Sequence, residues 1–99
     1  MQVSVGQLRI GKDIVISFDN DVKSIGSYMF YECPYIEFIK LPESLIDIGS
    51  YAFSKAVNLK EIEMFNNVYN IGESAFSDCP SLAKINLSES LTIIPKKCF

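Results

Sequence analysis

The chain is 99 residues long, enough for one domain burying roughly two thirds of the surface its unfolded form exposes, and too short for two independent cores. Nine basic against twelve acidic residues give a net charge of -3, which lacks the positive field that holds a phosphate backbone, while 48% hydrophobic and 21% charged residues place the chain with globular rather than disordered sequences. There is no histidine, so the commonest general base and metal ligand is absent. The longest apolar run, Tyr28 to Tyr31, falls far short of the roughly 20 residues of a membrane-spanning helix, and no basic stretch leads into an apolar one near the start, so neither a span nor a signal peptide is expected.

From the N-terminus, residues 2 to 10 alternate through Val3, Val5, Leu8 and Ile10. Gly11-Lys12-Asp13 is read as a turn that returns this strand against Ile14 to Phe18, so residues 1–12 are expected to form a β cap. Gly6 to Lys12 has the spacing of a phosphate-binding loop, but Asp13 stands where a magnesium-holding serine or threonine is needed, and the following segment reads as strand rather than helix. Two turn glycines explain the segment.

A period of 23 governs the rest. Phe30, Phe53, Phe76 and Phe99 recur at that interval, each preceded five positions earlier by Ile25, Ile48, Ile71 or Ile94. Further columns run Ile16, Ile39, Ile62 and Ile85; Phe18, Leu41, Met64 and Leu87; and Val22, Leu45, Val68 and Leu91. Gly26, Gly49 and Gly72 form another, which Pro95 breaks. Each unit pairs a short alternating run, a half-buried strand near 16–18, 39–41, 62–64 and 85–87, with a segment such as Gly49 to Phe53 long enough for one tight 3-10 or helical turn. A unit this thin cannot bury its apolar side alone, so the units are expected to stack as right-handed coils with parallel strands. The divisions are 13–35, 36–58, 59–81 and an incomplete 82–99, together one array over 1–99. Because Pro95 fixes its own φ near -65°, the glycines of its column are expected to serve close packing rather than positive φ.

Leu59-Lys-Glu-Ile-Glu-Met, Ile71-Gly-Glu-Ser-Ala-Phe-Ser-Asp-Cys-Pro-Ser-Leu and the 23-residue period resemble the BspA-like, treponemal class of leucine-rich repeats over about Asp13 to Phe99. Departures from that pattern are Met29 and Cys98 for alanine, Ala56 for cysteine and Pro95 for glycine. The resemblance implies a leucine-rich repeat solenoid and a non-enzymatic, adhesin-like protein, because members are mostly surface or secreted proteins of bacteria and protozoa that attach to host matrix, host cells or other microbes. It also implies a cell-surface or extracellular location.

The remaining motifs are weak carriers of chemistry. Cys33 and Cys79 lie two repeats apart, roughly 9 to 10 Å in a stack with roughly 4.8 Å per strand, beyond the roughly 7 Å reach of a disulfide. With Cys98 they read as small core residues, and no metal or other cofactor is expected. Asn86-Leu87-Ser88 fits the glycosylation sequon. Glu61 and Glu63 share a strand face with Lys40, Lys84 and Asn86, which points to solvated cross-strand pairing rather than acid–base work. If Ile39 and Leu41 face the core, then Phe38, Lys40 and Pro42 face outward, with Glu61, Glu63 and Phe65 beside them and Lys84, Asn86 and Ser88 next. The expected partner-binding set is therefore Phe38, Lys40, Glu61, Glu63, Phe65, Lys84 and Asn86, with both phenylalanines either bare and dispensable for folding or covering the core edge against neighbouring coils. Tyr28, Tyr31, Tyr35, Tyr51 and Tyr69 also fall outside the core columns. The expected partner is a protein, not nucleic acid. The alternative is self-assembly through the last repeat, whose strand has no polar closing segment.

Overall fold

The computed structural model describes residues 5–10, 13–95 and 97–99, with side chains from Phe18 onward. Strand β1 (Val5–Ile10) runs antiparallel to β2 (Asp13–Phe18), with Val5 opposite Phe18 and Ile10 opposite Asp13. The expected turn residues Gly11 and Lys12 lie outside the described residues. From β2 the sheet continues in parallel through β4 (Phe38–Lys40), β6 (Glu61–Glu63) and β8 (Lys84–Asn86), giving the order β1-β2-β4-β6-β8. Ile16, Ile39, Ile62 and Ile85 stand side by side across it. The repeat strands end one residue earlier than their alternation predicts, at Lys40, Glu63 and Asn86.

A second parallel sheet forms from two-residue strands: β3 (Ser24–Ile25), β5 (Asp47–Ile48) and β7 (Asn70–Ile71). A third set of inter-coil hydrogen bonds joins the turns, where the amides of Phe30, Phe53 and Phe76 donate to the carbonyls of Ala52, Ala75 and Cys98 at 2.8 Å. These turns are not helices. Within each, amides bond three residues back, as Ala52 to Gly49, Ser54 to Tyr51 and Ala56 to Phe53, but the backbone reverses at left-handed residues. Tyr28, Tyr51, Ser74 and Lys97 occupy one such column and Glu32, Lys55 and Asp78 another, with φ between 54° and 61°. A left-handed non-glycine residue costs roughly 1 to 2 kcal/mol, so helix cannot propagate through these points, and the ladders to neighbouring turns hold the residues there. Among the described residues no helix is long and apolar enough to cross a membrane.

The core fills the space between the three ladders. Phe53, Leu41, Leu45, Leu59, Ala52 and Val68 are fully enclosed. Phe30 stacks on Phe53 at 5.3 Å between ring centroids, Phe53 on Phe76 at 5.4 Å and Phe76 on Phe99 at 5.6 Å, all within 12° of parallel. Phe18 closes the column edge-on against Phe30 at 5.7 Å. Side chains also stitch coil to coil: Ser44 to the Val22 carbonyl at 2.6 Å, Asn67 to that of Glu43 at 2.8 Å, and Ser90 to that of Asn66.

The glycine column is where backbones approach most closely. None of Gly26, Gly49 and Gly72 has positive φ. A Cβ on Gly49 would sit 2.7 Å from the carbonyl carbon of Gly26, and one on Gly72 2.6 Å from that of Gly49, whereas one on Gly26 would meet only the Met29 methyl at 3.4 Å. Pro95 carries a Cβ and no amide hydrogen, so the bonds from the amides of Gly49 and Gly72 to the carbonyls of Ile25 and Ile48 have no third member. The second sheet accordingly stops at β7, while the turn ladder resumes at Cys98.

Two stability measurements check this packing. Phe53→Ala empties a site flanked by rings on both sides, so denaturant melting should show a loss of roughly 3 to 5 kcal/mol. Gly49→Ala and Gly72→Ala should each cost roughly 1 to 3 kcal/mol through forced separation of the coils. Gly26→Ala, whose Cβ would meet only the end of the flexible Met29 side chain, should change stability by less than about 1 kcal/mol. Equal losses at all three glycines would mean that coil separation does not set the cost.

Candidate functional site

The outer face of the five-stranded sheet carries two rows of side chains, because strand residues flanking a buried isoleucine point away from the core. Phe38, Glu61 and Lys84 are aligned in one row, and Lys40, Glu63 and Asn86 in the other. Six of the seven expected residues thus come together on one surface. The Lys84 ammonium stands 3.6 Å from the Glu61 carboxylate, and just before the strands Lys60 stands 3.7 Å from Glu37. Exposed pairs of this kind contribute at most about 1 kcal/mol. Lys40 and Glu63, although neighbours in register, make no ion pair with any described residue.

Four positions differ from the alternation. Phe38 is half-buried rather than bare. Phe65 is not on the strand at all, since β6 ends at Glu63, and it too is half-buried. Pro42 and Ser88, expected to face outward, are buried. The physical reason is the strand length: after three residues the chain bends inward, so the period-two rule no longer applies to the column of Pro42, Phe65 and Ser88. Burial of Ser88, whose hydroxyl accepts the Ser90 amide at 3.2 Å, also leaves the Asn86 sequon with its hydroxyl residue folded away.

That bend creates a cleft of about 380 Å³ where β2 and β4 end. Phe18, Leu41 and Pro42, all buried, form its floor, the half-buried Phe65 lines it, and the exposed Asn20, Lys40 and Glu43 stand at its mouth. Neither Lys40 nor Glu43 makes an ion pair with a described residue. Sequence reasoning found Lys40 and Phe65 but missed the rest, because the only signal was Pro42 in a column otherwise read as surface.

Three of the five tyrosines gather on the turns. Tyr28 stacks on Tyr51 at 5.0 Å and meets Tyr31 edge-on at 5.3 Å, while Tyr35 and Tyr69 stand apart and exposed. Lys55 lies 5.6 Å from the Tyr31 ring centre and 3.6 Å from the Glu32 carboxylate; the Tyr31 hydroxyl, with Glu32 adding, holds its ammonium above the usual lysine value. A more open concavity of about 500 Å³ lies beside Lys55, Val57, Asp78, Cys79 and Pro80.

All three cysteines are free thiols. Burial raises the pKa of Cys33 and Cys79 and pushes Cys98 up to about 11 from 9.0, the opposite of what a nucleophile requires. Among the described residues no three His, Cys, Asp or Glu side chains are grouped so as to hold a metal ion.

The Cys98 shift sets a pH dependence. The folded chain keeps this proton to higher pH than the unfolded chain does, so the contribution is complete below about pH 9 and is lost as pH rises through about 11. Denaturation midpoints should fall across that window, and fall less in Cys98→Ala, which places the residue of Ala52 and Ala75 in their own column. An identical slope in both proteins would show that the thiol contributes nothing.

Comparison with known proteins bears on what such a surface is for. The family model described as BspA type leucine rich repeat region (6 copies) matches residues 13–99. The crystal structure of the T. pallidum leucine rich repeat protein superposes with a TM-score of 0.72 at 25% identity, covering 90% of this chain and 49% of that one. The pneumococcal vaccine antigen PcpA superposes with a TM-score of 0.66 at 21% identity, covering 87% of this chain and 27% of that one. The chain therefore spans half or less of the structures it matches. A search of the curated proteins returned no match. With the strand register, the stacked phenylalanines and the family match in agreement, the chain belongs to the BspA-type leucine-rich repeat family.

Proposed function

We propose that this chain is a non-enzymatic protein-binding module that meets its partner through the outer face of the five-stranded sheet, at Phe38, Lys40, Glu61, Glu63, Lys84 and Asn86, with Phe65 beside them. The supporting observation is that parallel register aligns two mixed rows on one face and that, among the described residues, Lys40 and Glu63 make no ion pair. The partner in this reading is a host matrix or cell-surface protein and the setting is cell-surface or extracellular. Family membership supports both, and a vaccine antigen among the structural neighbours is consistent with them. The same reading takes residues 1–99 as one array, with residues 1–12 as its N-terminal β cap and 23-residue coils from 13 divided at 36, 59 and 82, right-handed as parallel crossovers nearly always are.

A second reading, in which the last coil pairs with another copy, rests on the exposure of Leu87, Ile93, Ile94 and Phe99 there. Retention of the protein on immobilised extracellular-matrix extract tests the first against the second. Charge reversal at Lys40 or Glu63 should weaken retention by up to about 5-fold, as exposed charges do, and the effect should fade with salt. Phe38→Ala should weaken it further and, being half-buried, should also cost about 1 kcal/mol of stability. Unchanged retention in all three variants, with a Leu87→Lys variant altering only the mass in solution, would replace recognition by assembly.

A further inference from the structure

We infer that Tyr28 and Tyr51 form a site of oxidative cross-linking, at which a haem peroxidase with hydrogen peroxide joins the two rings and staples the first repeat turn to the second. The site belongs to the turn ladder, not to the strand face, so it stands apart from the binding reading above. The rings lie 5.0 Å apart between centroids and within 6° of parallel. Both side chains leave the backbone at corresponding points of consecutive turns, at φ of 61° and 58°. Their amides donate to the next coil, Tyr28 to the Ser50 carbonyl at 3.1 Å and Tyr51 to that of Glu73 at 3.0 Å, which holds the pair in register along the array. A bulky aromatic residue is an outlier at positive φ, and the same column accepts Ser74 and Lys97, so the turn itself does not call for tyrosine. Strained backbone kept under a particular side chain points to a use for that side chain. Tyr28 is 54% exposed and Tyr51 half-buried, so the pair is open to an oxidant from solvent.

The other tyrosines are less suited. Tyr31 meets Tyr28 at 5.3 Å but 68° from parallel, and the Lys55 ammonium 5.6 Å from its ring centre opposes removal of an electron. Tyr35 and Tyr69 make no ring contact with another described aromatic residue. In the step itself, each ring gives up one electron and its phenolic proton. The two phenoxyl radicals form one carbon–carbon bond between positions ortho to their oxygens, and the hydrogens on those carbons shift to restore both phenols. The two electrons and two protons reduce one hydrogen peroxide to two waters. Rings joined in this way stand side by side at a separation close to the one seen here, so the bond requires rotation of surface side chains rather than movement of the coils.

Treatment of the 99-residue chain, in dilute solution, with a haem peroxidase and hydrogen peroxide tests this by intact mass, dityrosine fluorescence and tryptic mapping. The expected product is a monomer short of two hydrogens in which the tryptic peptides 24–40 and 41–55 are joined. Tyr28→Phe and Tyr51→Phe, which keep the stacked rings but remove a phenol, should each abolish that product, whereas Tyr35→Phe and Tyr69→Phe should leave its yield unchanged. The cross-link closes the loop from 28 to 51 and constrains the unfolded chain as a disulfide does, so the denaturation midpoint of the cross-linked monomer should rise. Absence of the joined peptides, their survival in Tyr51→Phe, product confined to dimers linked through Tyr35 or Tyr69, or an unmoved midpoint would overturn the inference.

Discussion

The structure depends on backbone being held against backbone on three sides at once through the first three coils, and on two at the last. The long sheet, the two-residue sheet and the turn ladder each supply inter-coil hydrogen bonds, and their common spacing leaves each core column only one neighbour above and one below. A side chain therefore meets its own counterpart, which is why like stacks on like. Phenylalanine rings 5.3 to 5.4 Å apart and within 3° of parallel follow from that spacing, since offset rings at this distance gain contact without overlap. Glycine is the same constraint in extreme form, at the point where the three-sided wrap brings two main chains too close for any Cβ.

The constraint also explains why strained backbone persists. Left-handed non-glycine residues recur at corresponding positions in consecutive turns, so their cost recurs with each coil. The turn ladder offsets it, because the amides of the reversed residues and of the phenylalanine between them donate to the next coil, as those of Tyr51, Phe53 and Lys55 do to Glu73, Ala75 and Ser77. Glycine at these positions would relieve the strain but remove side chains that build the turn surface, including the stacked Tyr28 and Tyr51. Pro95 shows the wrap tolerating a local failure: one of the three ladders ends there, yet the turn ladder re-forms three residues later and Phe99 still joins the ring column.

Much of this was legible in the sequence because a repeat states its own register. The spacing of Ile39, Ile62 and Ile85 gave their parallel alignment, and that of Phe30, Phe53 and Phe76 gave their stacking, with no energy needed. Pro95 in the glycine column correctly argued that the glycines serve packing. What stayed hidden lay where a local rule ran past its end. Alternation carried Pro42 and Ser88 to the surface because nothing in it says that a strand stops after three residues. The left-handed turns were invisible because tyrosine, lysine, serine and glutamate hold six of the seven described positions, residues that carry no preference for positive φ, and Asp78 alone is of a type enriched there. Phe65 was assigned to the right neighbourhood for the wrong reason: it borders the cleft because the chain bends, not because the strand continues.

The same geometry separates the parts of the chain that are fixed from those that are free. Core columns repeat one chemistry from coil to coil, as Leu41 and Met64 or Val22, Leu45 and Val68 do, because each member must fit the one before it. The outer rows do not: Phe38, Glu61 and Lys84 share a row but no chemistry, and so do Lys40, Glu63 and Asn86. A row whose members face solvent is released from matching its neighbours, since an exposed charge pair alters stability by at most about 1 kcal/mol. Such an array fixes the positions of its surface groups to the spacing of the strands while leaving their identities open. Recognition by a rigid strand face then requires no departure from the packing that holds the fold.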